Sequence, residues 1–545
     1  MKNIMVLDCT LRDGGRIIDC AFSNHETNEL VKRLTDSRID IVEIGFLRDW
    51  RKVNYTGNST FFTDVDQIAP FINRKKKTDT IYAAFIDFGM CDIDSLKPYD
   101  GSSIDAIRFG FTKKNFVENK NEVIRWINII KGLGYKLFIQ GVNSLNYTDR
   151  ELLEIVDMIN DIHPYSFGIV DTYGAMYMDD VDRLYGLIDH NMNQDICINF
   201  HSHNNYQLSF AFAQEVIKLS SGSNRKVIID GTLSGMGKVA GNLNIELLVE
   251  LLNRKYNYNY DLDCIFDTID EYIHKYSLSY KWGYSIPALM AGIYKSHPNN
   301  IIYLTEKYRL DSKDIGRLLS MISPDKRQSY DYDNIQKLYV EYNHTKVDDS
   351  YSMIKLHDKL DDRNLLLIMP GASIKHNKEK IISYINKNNC FVISTNFVSE
   401  FADVNNRMAF FGSSKRYKGC SEIDNEKNVV AVSNIEKTME GHIVVNYESL
   451  IERNNKDFDN TAMMLLNLLK RLGIKKFAIA GFDGYSKSKE NYYDNYLFQS
   501  ERFESKFDDK NANMRIMLNN YAKTLDRKED VIFITPSIYS DIFMN

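Results

Sequence analysis

A cation and a carboxylate stand side by side near the start of the sequence, in the stretch MVLDCTLRDGGRIIDC, where Arg12 and Asp13 precede two glycines. The apolar run before them predicts a short strand, so the pair falls in the loop that follows it. This stretch alone leaves two interpretations open: a surface ion pair, or a metal ligand beside a group that binds a substrate anion. Partners further along the chain have to decide between them.

Two histidines in the stretch INFHSHNNYQLS are candidate partners. His201 and His203 are two residues apart at the end of another predicted strand, so both side chains lie on one face of it. A single buried histidine is ordinarily a core residue, but two at this spacing favour a ligand pair. With Asp13 they offer one carboxylate and two imidazoles. This set suits a divalent ion that also binds water molecules. Manganese and magnesium are the expected ions, and zinc and cobalt are the alternatives.

The elements that must position these residues alternate regularly over the first 255 residues. Each short β-rich run is followed by a stretch long enough for a helix, which is typical of βα units around a parallel sheet. Eight such units predict a TIM barrel with its active site at the carboxyl ends of the strands, and a doubly wound open sheet is the alternative. Closure of the barrel makes strands one, seven and eight neighbours, which brings Asp13 to the histidines. The predicted strands are Ile4–Thr10, Ile39–Phe46, Thr80–Asp87, Ile104–Phe111, Lys136–Val142, Ser166–Thr172, Ile196–His203 and Lys226–Thr232.

The rest of the chain predicts a helical extension and a second domain. Residues 256–345 form mostly helical segments that pack on the barrel, residues 346–363 a charged linker, and residues 364–545 an open, Rossmann-like α/β domain. In that domain, Gly371 and Ser373 would lie where the phosphates of a nucleotide approach a helix N-terminus. An accessory domain that binds nothing is the alternative.

Composition restricts the classes of function. The 545 residues are 44% hydrophobic and 26% charged, as in ordinary globular proteins, and they exceed what one core usually supports. A formal net charge of −6 argues against a nucleic-acid or anionic-membrane surface, and no apolar run approaches the length of a membrane span. Seven irregularly spaced cysteines, together with the lack of a signal peptide, predict reduced thiols in a cytoplasmic protein.

Five motifs together resemble a known family. TLRDG, VEIGF, VDTYGA, HSHNN and GMGKVAGN occur in the order, and at about the spacing, of the HMGL-like or DRE-TIM metallolyases, over roughly residues 4–345. That family holds 4-hydroxy-2-oxovalerate aldolases, 3-hydroxy-3-methylglutaryl-CoA lyases, and isopropylmalate and homocitrate synthases. The resemblance implies a TIM barrel, a 2-oxoacid substrate and a divalent metal held by Asp13, His201 and His203.

The resemblance also implies roles for residues around the metal. The motif arginine, here Arg12, contacts the substrate carbonyl and its enolate. The hydroxyl that follows the aspartate of the sixth strand, here Thr172, binds the 2-oxoacid carboxylate. Glu43 and Asn242 match polar residues that line the site, with Glu43 a catalytic candidate. Tyr294, in IPALMAGIYKSHPNN, matches a tyrosine from the helix over the active site.

The pattern favours the aldolase branch of this family. The condensing synthases usually carry an aspartate where this chain has Asn205, and the CoA lyases use a cysteine in the Gly-rich loop, where this chain has none. One departure is Arg16, which stands where the aldolases have a histidine taken as the acid/base. A guanidinium does not accept a proton near neutral pH. The base would then be His25, Tyr294 or a water molecule at the metal, or Arg16 would bind a second anionic group, such as a carboxylate or phosphate, of a different substrate.

These observations predict a metal-dependent aldolase or lyase that makes or breaks a C–C bond through the enolate of a 2-oxoacid such as pyruvate, in a chain that could form a homodimer. An acyl-CoA-dependent condensing acyltransferase and a non-catalytic protein that binds a nucleotide-sugar are the alternatives. The stretches IMPGASIKHNKEKI and LGIKKFAIAGFDGYS resemble a Rossmann-like group that includes some bacterial sialyltransferases. That resemblance implies a nucleotide-linked sugar as a ligand and a place in surface-carbohydrate metabolism.

Overall fold

The computed structural model describes residues 3–544 except residues 54, 56, 75–77, 308–309, 311, 344–346, 436, 453–454, 456, 488–489 and 494–506. The chain folds as two compact units, Met1–Thr305 with Ser312–Asp331 and Glu306–Asp311 with Tyr332–Asn545. Among the described residues, no helix has both the length and the apolar character that crossing a bilayer requires.

The first unit contains a closed barrel of eight parallel strands. The strands are β1 (Ile4–Asp8), β2 (Ile41–Leu47), β4 (Ile81–Asp87), β5 (Ala106–Thr112), β6 (Lys136–Val142), β7 (Ser166–Asp171), β8 (Cys197–Ser202) and β9 (Val227–Gly231), and the two-residue strand β3 (Phe61–Phe62) pairs with β2. They follow one another in chain order around the ring, and β9 returns to pair with β1. The pairing of β1 with β2, Leu7 opposite Ile41, closes the ring. The predicted TIM barrel is therefore confirmed, and the open sheet is excluded.

Helices cover most of the connections between the barrel strands. They are α1 (Asn24–Asp36), α2 (Lys113–Gly132), α3 (Asp149–Ile162), α4 (Met178–Asn191), α5 (Ser209–Leu219) and α6 (Ile245–Tyr256). After β2 and β4, however, the helical segments among the described residues are only 3₁₀ turns, at Val65–Gln67, Ala69–Phe71 and Ile93–Ser95. Proline and glycine within these two connections disfavour a longer helix, which corrects the expectation of a helix after every strand.

The region predicted as a helical extension is helical, and the two units share it: Glu306–Asp311 and the residues from Tyr332 onward belong to the second unit. Its helices are α7 (Leu262–Thr268), α8 (His274–Ser279), α9 (Ile286–Ile293), α10 (Pro298–Lys307), α11 (Ser312–Met321), α12 (Pro324–Arg327) and α13 (Tyr332–Tyr342). The stretch predicted as a linker contains α14 (Ser350–Leu360), whose Leu356 and Leu360 are buried in the core of the second unit. The domain boundary drawn from the sequence stays a prediction.

The second unit is built on an open sheet of seven parallel strands. The strands are β10 (Leu365–Ile368), β11 (Phe391–Thr395), β12 (Arg407–Phe411), β13 (Val429–Val432), β14 (Ile443–Val445), β15 (Phe477–Ala480) and β16 (Val531–Phe533), and the helices are α15 (Ser373–His376), α16 (Lys378–Asn388), α17 (Ser414–Lys418), α18 (Thr461–Arg471) and α19 (Phe507–Ala522). Their order, β14-β13-β12-β11-β10-β15-β16, reverses direction between β10 and β15. This is a doubly wound sheet, so the predicted Rossmann-like class is confirmed.

Candidate metal centre and substrate site

The three predicted metal ligands lie together at the carboxyl ends of the barrel strands. Asp13 is in the loop after β1, His201 is in β8, and His203 directly follows β8. Asp13 Oδ2 is 3.0 Å from His203 Nε2 and 3.7 Å from His201 Nε2. One ligand atom from each of the three lies within 4.8 Å of the other two. The structure therefore brings together one carboxylate and two imidazoles.

Each imidazole is oriented by a hydrogen bond at its other nitrogen. His201 Nδ1 lies 3.0 Å from the carboxylate of Asp230 in β9, and His203 Nδ1 lies 3.0 Å from the backbone carbonyl of Asp171. A carbonyl only accepts, so His203 donates from Nδ1 and its Nε2 is left to face Asp13. Such hydrogen bonds are what hold metal-binding histidines in place. The donor set and its orientation fit a divalent ion.

The loop that carries Asp13 is fixed by backbone contacts. The N–H groups of Asp13 and Gly14 both donate to the carbonyl of Cys9, at 2.8 and 3.2 Å. The Thr10 hydroxyl accepts the N–H of Leu233, which joins this loop to the one after β9. A Cβ at position 14 would lie 3.3 Å from the Met236 carbonyl oxygen, a tight contact that favours glycine there. The Arg-Asp-Gly sequence thus supplies the two charged side chains of the site and a glycine that lets the loops after β1 and β9 approach closely.

Charges around Asp13 decide its protonation. Burial alone would raise the pKa of Asp13, but the Arg12 guanidinium and then His203 hold that pKa well below its ordinary value. Burial alone would lower the pKa of His203, but the Asp13 carboxylate raises it above its ordinary value. Burial is the main reason that the pKa of His201 is lowered. Asp13 is therefore a carboxylate at neutral pH, as a metal ligand must be.

A buried polar network supports the centre from inside the barrel. Arg108 in β5 donates to Glu43 at 2.9 Å, to Asp230 at 2.5 Å and to Asn199 at 2.9 Å. Arg12 donates from Nε to the same Glu43 oxygen, at 2.7 Å. All five side chains are nearly inaccessible to solvent. Glu43 thus positions two arginines, and Asp230 joins Arg108 to His201.

Several polar atoms at this end of the barrel are free to meet a ligand. Arg12 uses Nη1 for Asp13 at 2.6 Å, and in the described part of the chain its Nη2 has no hydrogen-bond partner. Glu43 Oε1, Asn143 Nδ2 and Asn242 Oδ1 are buried without a partner among the described residues. Buried polar groups are rarely left unpaired, so these atoms fit a polar ligand bound at the barrel mouth.

Thr172 and Asn242 lie on the loops that border this region. The Thr172 hydroxyl accepts the backbone N–H of Asn143 at 2.8 Å and keeps its own hydrogen to donate. Asn242 donates from Nδ2 to the Met236 carbonyl and forms a β-bridge with His203. Thr172 directly follows Asp171, whose carbonyl contacts His203, and Asn242 pairs with His203, so both predicted substrate-binding residues lie beside this ligand.

The candidates for an acid/base are placed differently. Arg16 Nε lies 3.3 Å from Asp13 Oδ1, so the guanidinium is in the site. Tyr294, the residue after α9, has its hydroxyl against Gly316 of α11. His25 is exposed at the start of α1, beside the ring of Tyr272. Within the described residues, neither Tyr294 nor His25 forms a hydrogen bond or ion pair with the three ligands.

In the second unit, the predicted nucleotide-binding residues are engaged by the chain itself. The Gly371 N–H donates to the Gly481 carbonyl at 2.8 Å. Ser373 donates to the Asp483 carboxylate from its backbone N–H at 2.7 Å and from its hydroxyl at 2.5 Å. Asp483 thus occupies the groups of Ser373 that a phosphate would need. The sequence motif could not show this, because it does not reveal which loop lies next to the end of β10. A nucleotide at Gly371 and Ser373 finds no support in this arrangement.

The fold and the site define a TIM-barrel protein with a candidate divalent-metal centre at the carboxyl ends of its strands. The HMGL-like family model matches residues 3–271, the part of the chain that contains the barrel, so this region is HMGL-like. HMGL-like proteins are metal-dependent lyases and condensing enzymes, so the family predicted from the five motifs is confirmed.

Curated relatives of the barrel include members of both branches. The chain is 27% identical over 259 residues to 2-isopropylmalate synthase of Lactococcus lactis, which covers 45% of this chain and 47% of the synthase. It is 24% identical over 253 residues to 4-hydroxy-2-oxovalerate aldolase of Pelotomaculum thermopropionicum, covering 46% and 69%. The match thus spans about half the length of the synthase.

Among solved structures, the HMG-CoA lyase of Brucella melitensis aligns with a TM-score of 0.40 and 14% identity, over 51% of this chain and 99% of that one.

Proposed function

We propose that the barrel is a divalent-metal-dependent aldolase or lyase that makes or breaks a C–C bond through the enolate of a 2-oxoacid. The observation that carries this proposal is the contact of Arg12 with Asp13, one of three candidate metal ligands, at 2.6 Å. A metal held by Asp13, His201 and His203 would supply Lewis-acid polarisation of a substrate carbonyl. A guanidinium beside it is placed where negative charge develops on the substrate oxygen.

Arg12 is the residue proposed to stabilise the enolate oxygen. Glu43 and Asp13 hold its Nε and Nη1, so the guanidinium needs little reorganisation when the substrate's charge develops, and its Nη2 is left for the substrate. Phe85 lies under the guanidinium, 4.7 Å from its central carbon to the ring centroid, and shields it from water. Preorganised donors of this kind act most strongly where water is excluded.

Thr172 is the residue proposed to bind the carboxylate of the 2-oxoacid. Its hydroxyl oxygen already accepts from Asn143, so the hydroxyl hydrogen is directed to another acceptor. The unpartnered amide of Asn143 offers a second donor on the adjacent loop. Together they would orient the 2-oxoacid so that its carbonyl approaches Arg12.

Exchange of the methyl protons of pyruvate in D₂O, followed by NMR with Mg²⁺ or with Mn²⁺ and a chelator quench, tests the proposal. We expect metal-dependent exchange in the wild-type chain, because removal of a methyl proton produces the enolate. Arg12→Lys keeps the charge but loses the planar fork, and exchange should fall about 100-fold, the usual effect of losing one such donor. Arg150→Lys, on the exposed face of α3, is the matched control and should exchange normally.

The result also separates the two branches of the family. Exchange without any acyl-CoA supports an aldolase or lyase, whereas release of free CoA from acetyl-CoA with a 2-oxoacid would support the condensing acyltransferase instead. Absence of exchange with either metal would contradict the proposed function.

A further inference from the structure

We propose that Arg16, Arg48 and Lys238 form a second anion site at the barrel mouth, which binds a phosphate group of the compound that joins, or leaves, the 2-oxoacid. The role of that compound rests on the proposed function. The site itself is argued from the contacts of the three cationic side chains, and its test does not require turnover.

Two of the cations are held against the same ring and the same carboxylate. The guanidinium carbons of Arg16 and Arg48 lie 4.7 and 4.2 Å from the ring centroid of Phe46, near the end of β2. Asp87 Oδ2, at the end of β4, lies 2.9 Å from Arg48 and 3.9 Å from Arg16. One carboxylate therefore serves two arginines, which leaves this pair with an excess positive charge.

Lys238 adds a third cation from the Gly-rich loop after β9. Its side chain is half-buried, and in the described part of the chain it has no ion-pair partner. Lys238 comes two residues after Met236, whose backbone carbonyl lies beside Gly14 in the segment that also carries Arg16. Burial, and then the Arg16 guanidinium, lower the pKa of Lys238. The nearby His297 adds no charge, because burial and then Lys238 and Arg16 lower its pKa to about 4.

The balance of charge favours a doubly charged ligand. Arg16 also touches Asp13, but Arg12 and the two histidines already share that carboxylate. Asp19 is exposed and only weakens the effect of Arg16 on Lys238. Among the described residues, Asp87 is thus the remaining carboxylate in direct contact with Arg16 and Arg48. A phosphate monoester, with a charge of about −1.5 to −2 at neutral pH, would neutralise the excess.

Arg48 provides the hydrogen-bonding part of the argument. It is 8% exposed, and its Nη1 is buried without a partner among the described residues. A buried guanidinium with an unmet donor is costly, and a phosphate oxygen is the acceptor whose geometry matches a guanidinium fork. A carboxylate ligand would need only one guanidinium, whereas this site offers two guanidinium groups and an ammonium.

The position of the anion site indicates which class of compound reacts with the 2-oxoacid. Because Arg16 lies 3.3 Å from the candidate metal ligand Asp13, a phosphate held here would be a short chain away from the carbonyl at the metal. The partner of the 2-oxoacid would then be a phosphorylated aldehyde, and the aldol product would carry the same phosphate. Arg16 would serve this binding in place of proton transfer.

Titration calorimetry with inorganic phosphate, on the full chain after chelator treatment and at fixed ionic strength, tests the site. We expect saturable binding that weakens at least tenfold in Arg48→Gln and in Lys238→Met. The control is Arg51→Gln, three residues after Arg48 but 57% exposed and paired with Asp49, which should bind as the wild type does. Circular dichroism establishes that each variant is folded, and Lys238→Met decides the matter if Arg48→Gln is not.

Three results would overturn the proposal: no saturable binding to the wild type, unchanged binding in the folded variants, or tighter binding of acetate than of phosphate at equal ionic strength. Binding of phosphate by a chain that does not exchange pyruvate protons would refute the proposed function and leave the anion site standing.

Discussion

At the scale of single residues, the candidate centre depends on which nitrogen of each imidazole is free. Asp230 and the Asp171 carbonyl engage the Nδ1 atoms, so the two Nε2 atoms converge on Asp13. Each histidine therefore has one nitrogen held by an orienting partner and one nitrogen that faces the candidate metal position. Removal of a ligand and removal of its orienting partner should therefore have effects of different size, with the ligand the more severe.

The first prediction concerns the ligands themselves. A chain with both His201→Ala and His203→Ala keeps one protein ligand, Asp13, and should lose its bound divalent ion on dialysis. Metal content of the dialysed protein, measured by atomic emission, provides the test. The control is His190→Ala, at an exposed residue of α4 whose Nδ1 hydrogen-bonds to the Gly186 carbonyl, and it should retain the wild-type content. Full occupancy in the double variant would show that the ion binds elsewhere.

The sequence predicted the three ligands but not Arg108 and Asp230 of the network that supports them. Asp13, His201 and His203 stand in loops and at a strand end, where a polar residue draws attention. Arg108 and Asp230 stand inside the apolar strands AIRFGFT and VIIDG, and strand periodicity alone assigns such positions to a core. A charged residue within an otherwise apolar strand was the available signal.

At the scale of elements, the network joins strands from across the barrel. Arg108 of β5 meets Glu43 of β2 and Asp230 of β9, three strands that are not neighbours of one another except through the interior. Its guanidinium is the cation between two fully buried carboxylates. The interior of this barrel is therefore stabilised by paired charges as well as by apolar packing.

The second prediction is that Arg108→Met destabilises the barrel by about 3–5 kcal/mol, because it leaves two buried carboxylates without their shared cation. The free energy of unfolding in urea measures this change. Arg150→Met removes an arginine that is 90% exposed, and its effect should stay within about 0.5 kcal/mol. Equal stability of the two variants would mean that the network contributes no net stabilisation.

The third prediction concerns pH and the start of α1. Burial would raise the pKa of Glu26, but hydrogen bonds from Lys275, Ser23 and Tyr276 lower it to about 2. Because the folded pKa is below the unfolded one, Glu26 stabilises the fold above pH of about 4.5, and this stabilisation is lost as the pH falls towards 2. The difference in unfolding free energy between wild type and Glu26→Gln should therefore be constant near neutral pH and shrink in acid. A difference independent of pH would contradict this assignment.

The elements of the barrel followed from the sequence because their pattern is strong. Each of the eight strands lies within two residues of its predicted bounds, since buried parallel strands are short apolar runs between polar loops. The absence of an α-helix among the described residues after β2 and after β4 was not predicted. Pro70, Gly89 and Gly101 interrupt these connections and disfavour a helix. Contacts between distant loops, such as that of Asp483 with Ser373, cannot be predicted from a single sequence.

At the scale of the whole molecule, the chain folds as two compact units, and α14 belongs to the second. Leu356 and Leu360 are at most 2% exposed within that core, and Asp349, just before the helix, pairs with Arg471 at 2.7 Å. A stretch whose charges suggested a linker is thus part of a folded unit.

The fourth prediction follows from that helix. A fragment of residues 332–545 should be more stable to urea than a fragment of residues 364–545, by about 3 kcal/mol or more, because the shorter one loses two buried leucines. Double replacement of Leu356 and Leu360 by alanine in the longer fragment should reproduce most of the loss. Equal stability of the two fragments would show that the helix contributes little to the second core.

The closure of the barrel also has a consequence for the time at which the centre can exist. The hydrogen bond from His203 to Asp13 spans 190 residues of chain. At a synthesis rate of about 5–20 residues per second, roughly 10–40 s separate the appearance of these two residues on the ribosome. Until then the Arg12–Asp13 pair has no imidazoles to meet, and a metal ion cannot nucleate the fold. Uptake of the ion would be a late event that reports the meeting of the loop after β1 with the end of β8.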